Sequence, residues 1–92
     1  MARFSALPGH RDAVRDLLMA YAGSVRSEPG AELFAPTTSS DDDHAFVVFE
    51  RYADEAAFQA HLSAPENDRF NEQVRPHLAE AVTLQFLDAL DA

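Results

Sequence analysis

The stretch that decides the fold is A-F-V-V-F-E-R-Y at residues 45–52, a run of Val and aromatic residues typical of a β-strand. Phe46 and Val48 point to one side of such a strand, and Val47 and Phe49 point to the other. Both sides are therefore apolar, as in a strand that is covered on both faces of its sheet. We predict that residues 45–52 form the central strand.

Three helices are predicted around this strand. Apolar residues recur at helical spacing over residues 11–26, which makes this the clearest helix of the chain. Asp54 suits the N-cap of a second helix over residues 55–62. Pro65 suits the first position of a third helix, and Pro76 should end or kink it.

Three further strands are predicted. They cover residues 2–7, 31–35 and 81–87. Residues 36–44, P-T-T-S-S-D-D-D-H, are polar and acidic and predict a loop whose carboxylates are solvated. Glu28-Pro29-Gly30 suits a type II turn, with Pro at the second position and Gly at the third.

The resulting βαββαβ order, with its second helix divided in two, predicts an α+β, ferredoxin-like fold. In this fold an antiparallel four-stranded sheet carries its helices on one face only. A domain of 92 residues should not leave the other apolar face of strand 45–52 in water. We therefore predict a homodimer through the sheet faces, related by two-fold symmetry.

Composition excludes several classes of protein. Residues 1–92 have the length of a single domain, and the formal net charge of −9 argues against nucleic acid and anionic membranes as partners. Cysteine is absent, which excludes disulfides and thiol catalysis and favours the cytoplasm. No apolar run is long enough to span a bilayer. The four histidines lack the spacing of a metal site, so no bound metal is expected.

Three segments carry a family resemblance: E-P-G at residues 28–30, F-V-V-F-E-R-Y-A-D-E-A-A-F-Q-A-H-L at 46–62, and R-F-N at 69–71. The chain resembles the antibiotic biosynthesis monooxygenase domain family, including its quinol monooxygenase-like members. The resemblance covers nearly the whole chain and implies a dimeric α+β barrel with its pocket between sheet and helices. It also implies cofactor-independent oxygenation of a small hydroxyaromatic or quinol substrate.

Some members of this family degrade haem and use a Trp on the second helix. This chain has no Trp, and His61 stands at about that position. The resemblance therefore implies that haem is not the cofactor here, and we expect none. A flavin- and metal-free oxygenase must instead form a substrate anion that passes an electron to dioxygen, which requires a base in a mostly apolar pocket.

His61 is the candidate base, because it borders the buried helix face and imidazole exchanges protons near neutral pH. Tyr52 would donate a hydrogen bond to a substrate oxygen, and Asn71 would face the cavity mouth. Glu50 would orient His61 or pair with an Arg. The candidate substrate-binding residues are Phe46, Val48, Glu50, Phe58 and Phe70.

Other interpretations of the same residues stay open. His61 could hydrogen-bond a backbone carbonyl or Glu50 and serve packing alone. The same base could also serve an isomerase or lyase that acts on a small carbonyl compound without dioxygen. The chain could further be a non-catalytic dimer that binds a small molecule, which an apolar pocket without convergent polar groups would favour.

Overall fold

The computed structural model describes residues 1–91 and has the predicted ferredoxin-like α+β fold. The elements are β1 (Ala2–Ser5), α1 (Arg11–Arg26), β2 (Ala31–Ser39), β3 (Asp42–Tyr52), α2 (Glu55–Ser63), α3 (Pro65–Val74), a 3₁₀ turn (Arg75–His77) and β4 (Thr83–Leu84). The strands form one sheet in the order β2-β3-β1-β4, and every neighbouring pair is antiparallel. β3 is therefore an interior strand, as predicted.

The helices begin and end close to the predicted residues, because local signals fix them. α1 buries Val14, Leu18 and Val25 on the face that its apolar spacing defines. The Asp54 side chain accepts a hydrogen bond from the Ala57 N–H at 2.8 Å and caps α2. Pro65 occupies the start of α3, which ends at Val74 before the 3₁₀ turn that contains Pro76.

The prediction of a loop over residues 36–44 is wrong. β2 continues past Pro36 to Ser39, and β3 begins at Asp42, so the two strands form a long hairpin with a tight turn. Pro36 is tolerated because β2 is an edge strand, where a residue that lacks an N–H can face the open edge. The acidic residues of the hairpin lie at its exposed tip and do not oppose the pairing.

The two terminal strands are shorter than predicted. Only Thr83 and Leu84 form β4, opposite Arg3 and Ala2, and the Gln85 N–H adds one hydrogen bond to the Met1 carbonyl at 2.8 Å. β1 itself ends at Ser5, after which the chain bonds to the residues that follow α3.

The turn at Glu28-Pro29-Gly30 is not of type II. The Ala31 N–H closes it on the Glu28 carbonyl at 3.1 Å, but Gly30 does not adopt the positive φ that a type II turn requires. Gly30 is needed for space instead, because a Cβ at this position would overlap the Ala57 side chain. The absence of a side chain at Gly30 thus lets α2 pack directly on this turn.

The two faces of β3 have different surroundings. Phe46 and Val48 point toward the helices and are buried in the core with residues of α1, α3 and β1. Val47 is partly exposed on the opposite face, where Phe49 is 44% exposed and Leu33 of β2 is also exposed. The predicted apolar second face therefore exists and is uncovered in one copy of the chain. Within residues 1–91, no helix combines the length and hydropathy that a membrane span requires.

Candidate active site

A cavity of about 670 Å³ opens between the inner face of the sheet, the three helices and the segment around β4, and it extends to Leu33, Phe49 and Arg51 on the outer face. Its aromatic lining on the inner side consists of Phe4, Tyr21, Phe34, Tyr52, Phe58, Phe70 and Phe86. Several of these rings contact one another: Tyr21 stacks on Phe70 with centroids 4.4 Å apart, and Phe58 meets Phe86 edge-on at 5.6 Å. The volume and lining suit a small aromatic molecule.

His61 lies in the wall of this cavity and is 4% exposed. Its Nδ1 lies 3.1 and 3.3 Å from the two carboxylate oxygens of Glu28. Because an ionised carboxylate only accepts hydrogen bonds, the contact assigns a proton to Nδ1. Neutral His61 then carries its lone pair on Nε2, which makes Nε2 a proton acceptor.

Backbone packing brings His61 and Glu28 together. His61 follows Ala57 by four residues on α2, so both side chains lie on one face of that helix. Ala57 rests against Gly30, two residues after Glu28. Because Gly30 lets α2 approach this turn closely, His61 comes to lie against the carboxylate of Glu28.

Two polar groups lie near His61 Nε2. The Tyr21 hydroxyl is 3.5 Å away, and Glu50 Oε1 is 3.8 Å away. The Tyr52 O–H donates to that same Glu50 oxygen at 2.7 Å, and the Tyr52 ring lies 4.9 Å from the imidazole. Because Glu28 and Glu50 flank the imidazole, they stabilise the positive charge that forms when Nε2 takes a proton.

A chain of hydrogen bonds with one consistent direction runs from α3 to His61. Asn71 Nδ2 donates to Asn67 Oδ1 at 3.1 Å, and Asn67 Nδ2 donates to the Tyr21 hydroxyl oxygen at 2.9 Å. The Tyr21 proton is then directed toward His61 Nε2. The Nδ1–H of His61 ends the chain at Glu28. Each amide or hydroxyl thus has a defined partner, which fixes the imidazole orientation.

Both tyrosines of the chain are weak acids at this site. The pKa of Tyr21 is raised to about 12, chiefly by burial and also by the charges of Glu28 and Glu50, while the hydrogen bond from Asn67 acts in the opposite direction. Burial also raises the pKa of Tyr52, as does its hydrogen bond to Glu50. Both hydroxyls therefore stay protonated at neutral pH and act as neutral donors.

Most of the predicted site residues line this cavity: His61, Tyr52, Asn71, Val48, Glu50, Phe58 and Phe70. Phe46 does not. It is buried against Phe4, with parallel rings 5.7 Å apart, so we remove it from the candidate substrate-binding residues. Tyr52 directs its proton to Glu50 and not to the open cavity. Asn71 reaches His61 only through Asn67 and Tyr21.

Sequence reasoning missed three members of the network: Glu28, Tyr21 and Asn67. The sequence places Glu28 in a predicted turn and in the E-P-G segment of the family resemblance, and it places Tyr21 within the predicted helix of residues 11–26. A signal for Tyr21 existed, because a buried tyrosine hydroxyl almost always has a hydrogen-bond partner. No local signal pointed to Glu28 or Asn67. Glu28 lies 33 residues before His61 in the chain, and Asn67 lies in the first turn of α3.

Two other groups of ionisable side chains lie outside this cavity. His10 and His77 meet with their Nδ1 atoms 2.9 Å apart, where α1 begins and the 3₁₀ turn ends. Asp42, Asp43 and His44 cluster at the exposed hairpin tip, where His44 Nδ1 lies 2.8 Å from Asp43 Oδ1. Local hydrogen bonds account for the cluster at the tip.

The fold and the site together define a class of protein: a small ferredoxin-like domain that holds a histidine–carboxylate pair in an aromatic cavity. Comparison with known proteins gives the family. The sequence profile of the antibiotic biosynthesis monooxygenase family matches residues 1–73. The chain belongs to this family, as its sequence predicted.

Individual relatives support the assignment. Rv0793 of Mycobacterium tuberculosis, whose name assigns it provisionally as a monooxygenase, is 33% identical over 91 residues, which cover 99% of this chain and 89% of that protein. The solved structure of Rv0793 superposes with a TM-score of 0.83 at 35% identity, over 97% of this chain and 93% of its own. A family member from Caulobacter crescentus superposes with a TM-score of 0.90 at 23% identity, over 97% of this chain and 85% of its own. At this identity the likeness shows the fold alone.

Proposed function

We propose that this protein is a cofactor-independent monooxygenase that acts on a small hydroxyaromatic or quinol substrate. The observation that carries the proposal is His61, a buried imidazole in an aromatic cavity with its Nδ1 held by Glu28 and its Nε2 directed away from that carboxylate. This arrangement resembles other enzymes in which a carboxylate orients a histidine base. Membership of the family supports the same reaction class.

In the proposed reaction, His61 Nε2 accepts the proton of a substrate hydroxyl. The aryloxide passes one electron to dioxygen, and the resulting substrate radical and superoxide combine at a ring carbon that carries hydrogen. The imidazolium returns the proton to the peroxide, which gives a hydroperoxide. Its O–O bond then breaks, the outer oxygen leaves as water with the hydrogen of that ring carbon, and the inner oxygen becomes the new carbonyl. A phenol and dioxygen thereby give a quinone and water, so the substrate supplies all the electrons.

The protein residues serve this reaction through charge and position. Glu28 and Glu50 stabilise the imidazolium while the aryloxide exists. Tyr21 is a neutral donor beside Nε2, so its hydroxyl can hydrogen-bond the developing aryloxide oxygen once substrate enters. The aromatic rings of the lining keep water away from the reactive anion.

Oxygen consumption with a panel of quinols, measured on protein freed of metal by a chelator, tests the proposal. His61→Gln should lower kcat by about 10²-fold or more, because general base catalysis contributes that much. The matched control is His44→Gln at the exposed hairpin tip, which should leave turnover unchanged. Turnover without oxygen uptake would point to the isomerase or lyase alternative, and equal rates for His61→Gln and the unmodified protein would refute the assigned base.

We also propose that the active form is a homodimer joined through the outer face of the sheet. The support is the exposed apolar surface around Phe49 and Leu33, next to partly buried Val47. The helices lie on the other face and do not cover this surface. A second copy that packs with the same face would remove this apolar surface from water.

The cytoplasm is our proposed location for the protein. It rests on the cysteine-free composition of the chain, since domains of this size in oxidising compartments commonly carry disulfides. Fractionation of cells that express a tagged chain tests it, and recovery of the protein outside the cytoplasm would contradict it.

A further inference from the structure

Negative groups predominate around the candidate active site. Glu50 lines the cavity with a side chain that is 12% exposed, and Glu28 contacts the Nδ1 side of His61 with a side chain that is 21% exposed. Three more carboxylates line the rim: Asp54, Glu55 and Asp88. A ligand in the cavity thus meets four lining carboxylates, and the Glu28 carboxylate lies behind His61.

Positive groups at the cavity are fewer and are engaged elsewhere. Besides His61, the described lining contains Arg51, whose Nε lies 3.2 Å from Glu32, and the Met1 ammonium, which donates to the Gln85 carbonyl at 2.8 Å. The N-terminus of α2 at the rim is capped by Asp54. Arg51 lies on the outer face of β3, opposite to Glu50, so its charge does not offset the carboxylates on the inner side of the cavity.

We propose that this cavity selects its aromatic substrate by charge: it binds phenols that are neutral or carry an ammonium group and rejects the analogue that carries a carboxylate. The inference deepens the proposed function and rests on it in one respect, namely that this cavity is the substrate site. It narrows the substrate from any hydroxyaromatic to the non-anionic ones.

The physical reason is the cost of adding a negative charge to this cavity. An anionic substituent would lose its hydration and meet Glu50 and the rim carboxylates, whose repulsion is stronger near a protein surface than in water. An ammonium group gains from the same carboxylates and from the faces of nearby rings such as Tyr52 and Phe58. The aryloxide of the proposed reaction escapes this penalty, because its charge appears only as His61 takes up the proton and the net charge of the site is unchanged.

Three catechols that share one ring and differ in charge test the proposal. They are dopamine, 4-ethylcatechol and 3,4-dihydroxyphenylacetate, measured by calorimetric titration under anaerobic conditions at neutral pH so that neither turnover nor autoxidation interferes. Dopamine and 4-ethylcatechol should bind, and the carboxylate should bind at least about tenfold more weakly than 4-ethylcatechol.

Charge variants separate the cavity from the overall charge of the protein. Glu50→Gln keeps the side-chain shape and an acceptor for Tyr52. It should reduce the affinity gap, that is, the ratio of the affinities for 4-ethylcatechol and 3,4-dihydroxyphenylacetate, at least about threefold. Asp88→Asn on the exposed rim should narrow the gap to a smaller extent without touching the buried network, so it serves if Glu50→Gln fails to fold. The matched control, Asp16→Asn on the exposed face of α1, removes the same charge away from the cavity and should leave the gap unchanged.

Several results would overturn this inference: equal or tighter binding of 3,4-dihydroxyphenylacetate, no binding of any of the three catechols, or a gap that Asp16→Asn changes as much as Glu50→Gln does. Failure of the proposed function gives a different result. If 4-ethylcatechol binds but no oxygen is consumed, the oxygenase proposal fails while the charge selection stands. If the carboxylate supports faster oxygen uptake than 4-ethylcatechol, the charge selection fails while the oxygenase proposal stands.

Discussion

His61 Nδ1 lies 3.1 Å from a carboxylate oxygen of Glu28, although 33 residues separate the two side chains in the sequence. The contact joins α2 to the turn that follows α1, and it defines which imidazole nitrogen carries the proton. The remaining nitrogen, Nε2, lies toward Tyr21 and Glu50, which both line the cavity. One pair of residues thus sets the orientation and the protonation pattern of the candidate base.

Replacing Glu28 by Gln should weaken this control of His61. A glutamine amide can donate to Nδ1, which would favour the tautomer that carries its proton on Nε2 and so remove the acceptor. Turnover of an active quinol should fall about tenfold or more, and ¹⁵N-detected NMR of the ring should show the tautomer change. Glu72→Gln, on the exposed face of α3, is the control. An unchanged His61 spectrum in Glu28→Gln would contradict the orienting role.

The two tyrosines should titrate abnormally late. Absorbance at 295 nm should show little tyrosinate at pH 10 in the folded protein, whereas both tyrosines should ionise near pH 10 in urea, because burial raises the pKa of Tyr21 to about 12 and raises that of Tyr52 as well. The chain has two tyrosines and no Trp, so the signal is assignable with Tyr→Phe variants. A folded-state transition near pH 10 would show that the hydroxyls are not buried as described.

The same pKa shifts predict how stability depends on pH. Between pH 10 and about 12 the unfolded chain has released tyrosine protons that the folded chain retains, so the unfolded state binds fewer protons than the folded state. The free energy of unfolding should therefore be unaffected by these groups below pH 10 and should fall as pH rises through this interval. Urea denaturation at several pH values measures it. Tyr21→Phe should reduce the slope, and an unchanged slope would contradict the assignment.

Gly30→Ala should destabilise the protein by about 1–3 kcal/mol, because the added methyl group overlaps Ala57 in a packed contact. The matched control is Gly23→Ala on the exposed part of α1, where a Cβ meets no atom and helix propensity predicts a gain of about 0.5–1 kcal/mol. Thermal or urea unfolding measures both. Equal effects of the two substitutions would refute the close approach of α2 to this turn.

A substitution on the outer sheet face should separate the proposed dimer. Phe49→Asp places a charge in the exposed apolar surface and should give monomers by sedimentation at micromolar concentration. Met19→Asp on α1 alters a side chain of nearly equal exposure, 45% against 44%, on the helical side of the domain, and should leave the dimer intact. A monomeric unmodified protein, or an unchanged dimer in Phe49→Asp, would contradict the proposed interface.

The sequence by itself determined the elements whose signals are local. The apolar run of residues 45–52 identified the interior strand, helical spacing identified α1, and the side chains of Asp54 and Pro65 marked the starts of α2 and α3. Propensities, caps and periodicity act within one turn or one strand, so they can be read without knowing what packs against them. Together with the family resemblance, they were sufficient for the fold class and for His61 as a cavity residue.

Tertiary structure decided the strand ends and the side-chain contacts that depend on residues far away in the chain. β2 runs past Pro36 because it lies at the sheet edge, and β4 consists only of Thr83 and Leu84, which pair with Arg3 and Ala2. Glu28 meets His61 because Gly30 lets α2 approach, and Phe46 leaves the candidate site because it packs on Phe4. Contacts between residues far apart in the chain arise from the packing of whole elements, and no pattern within a single segment encodes them.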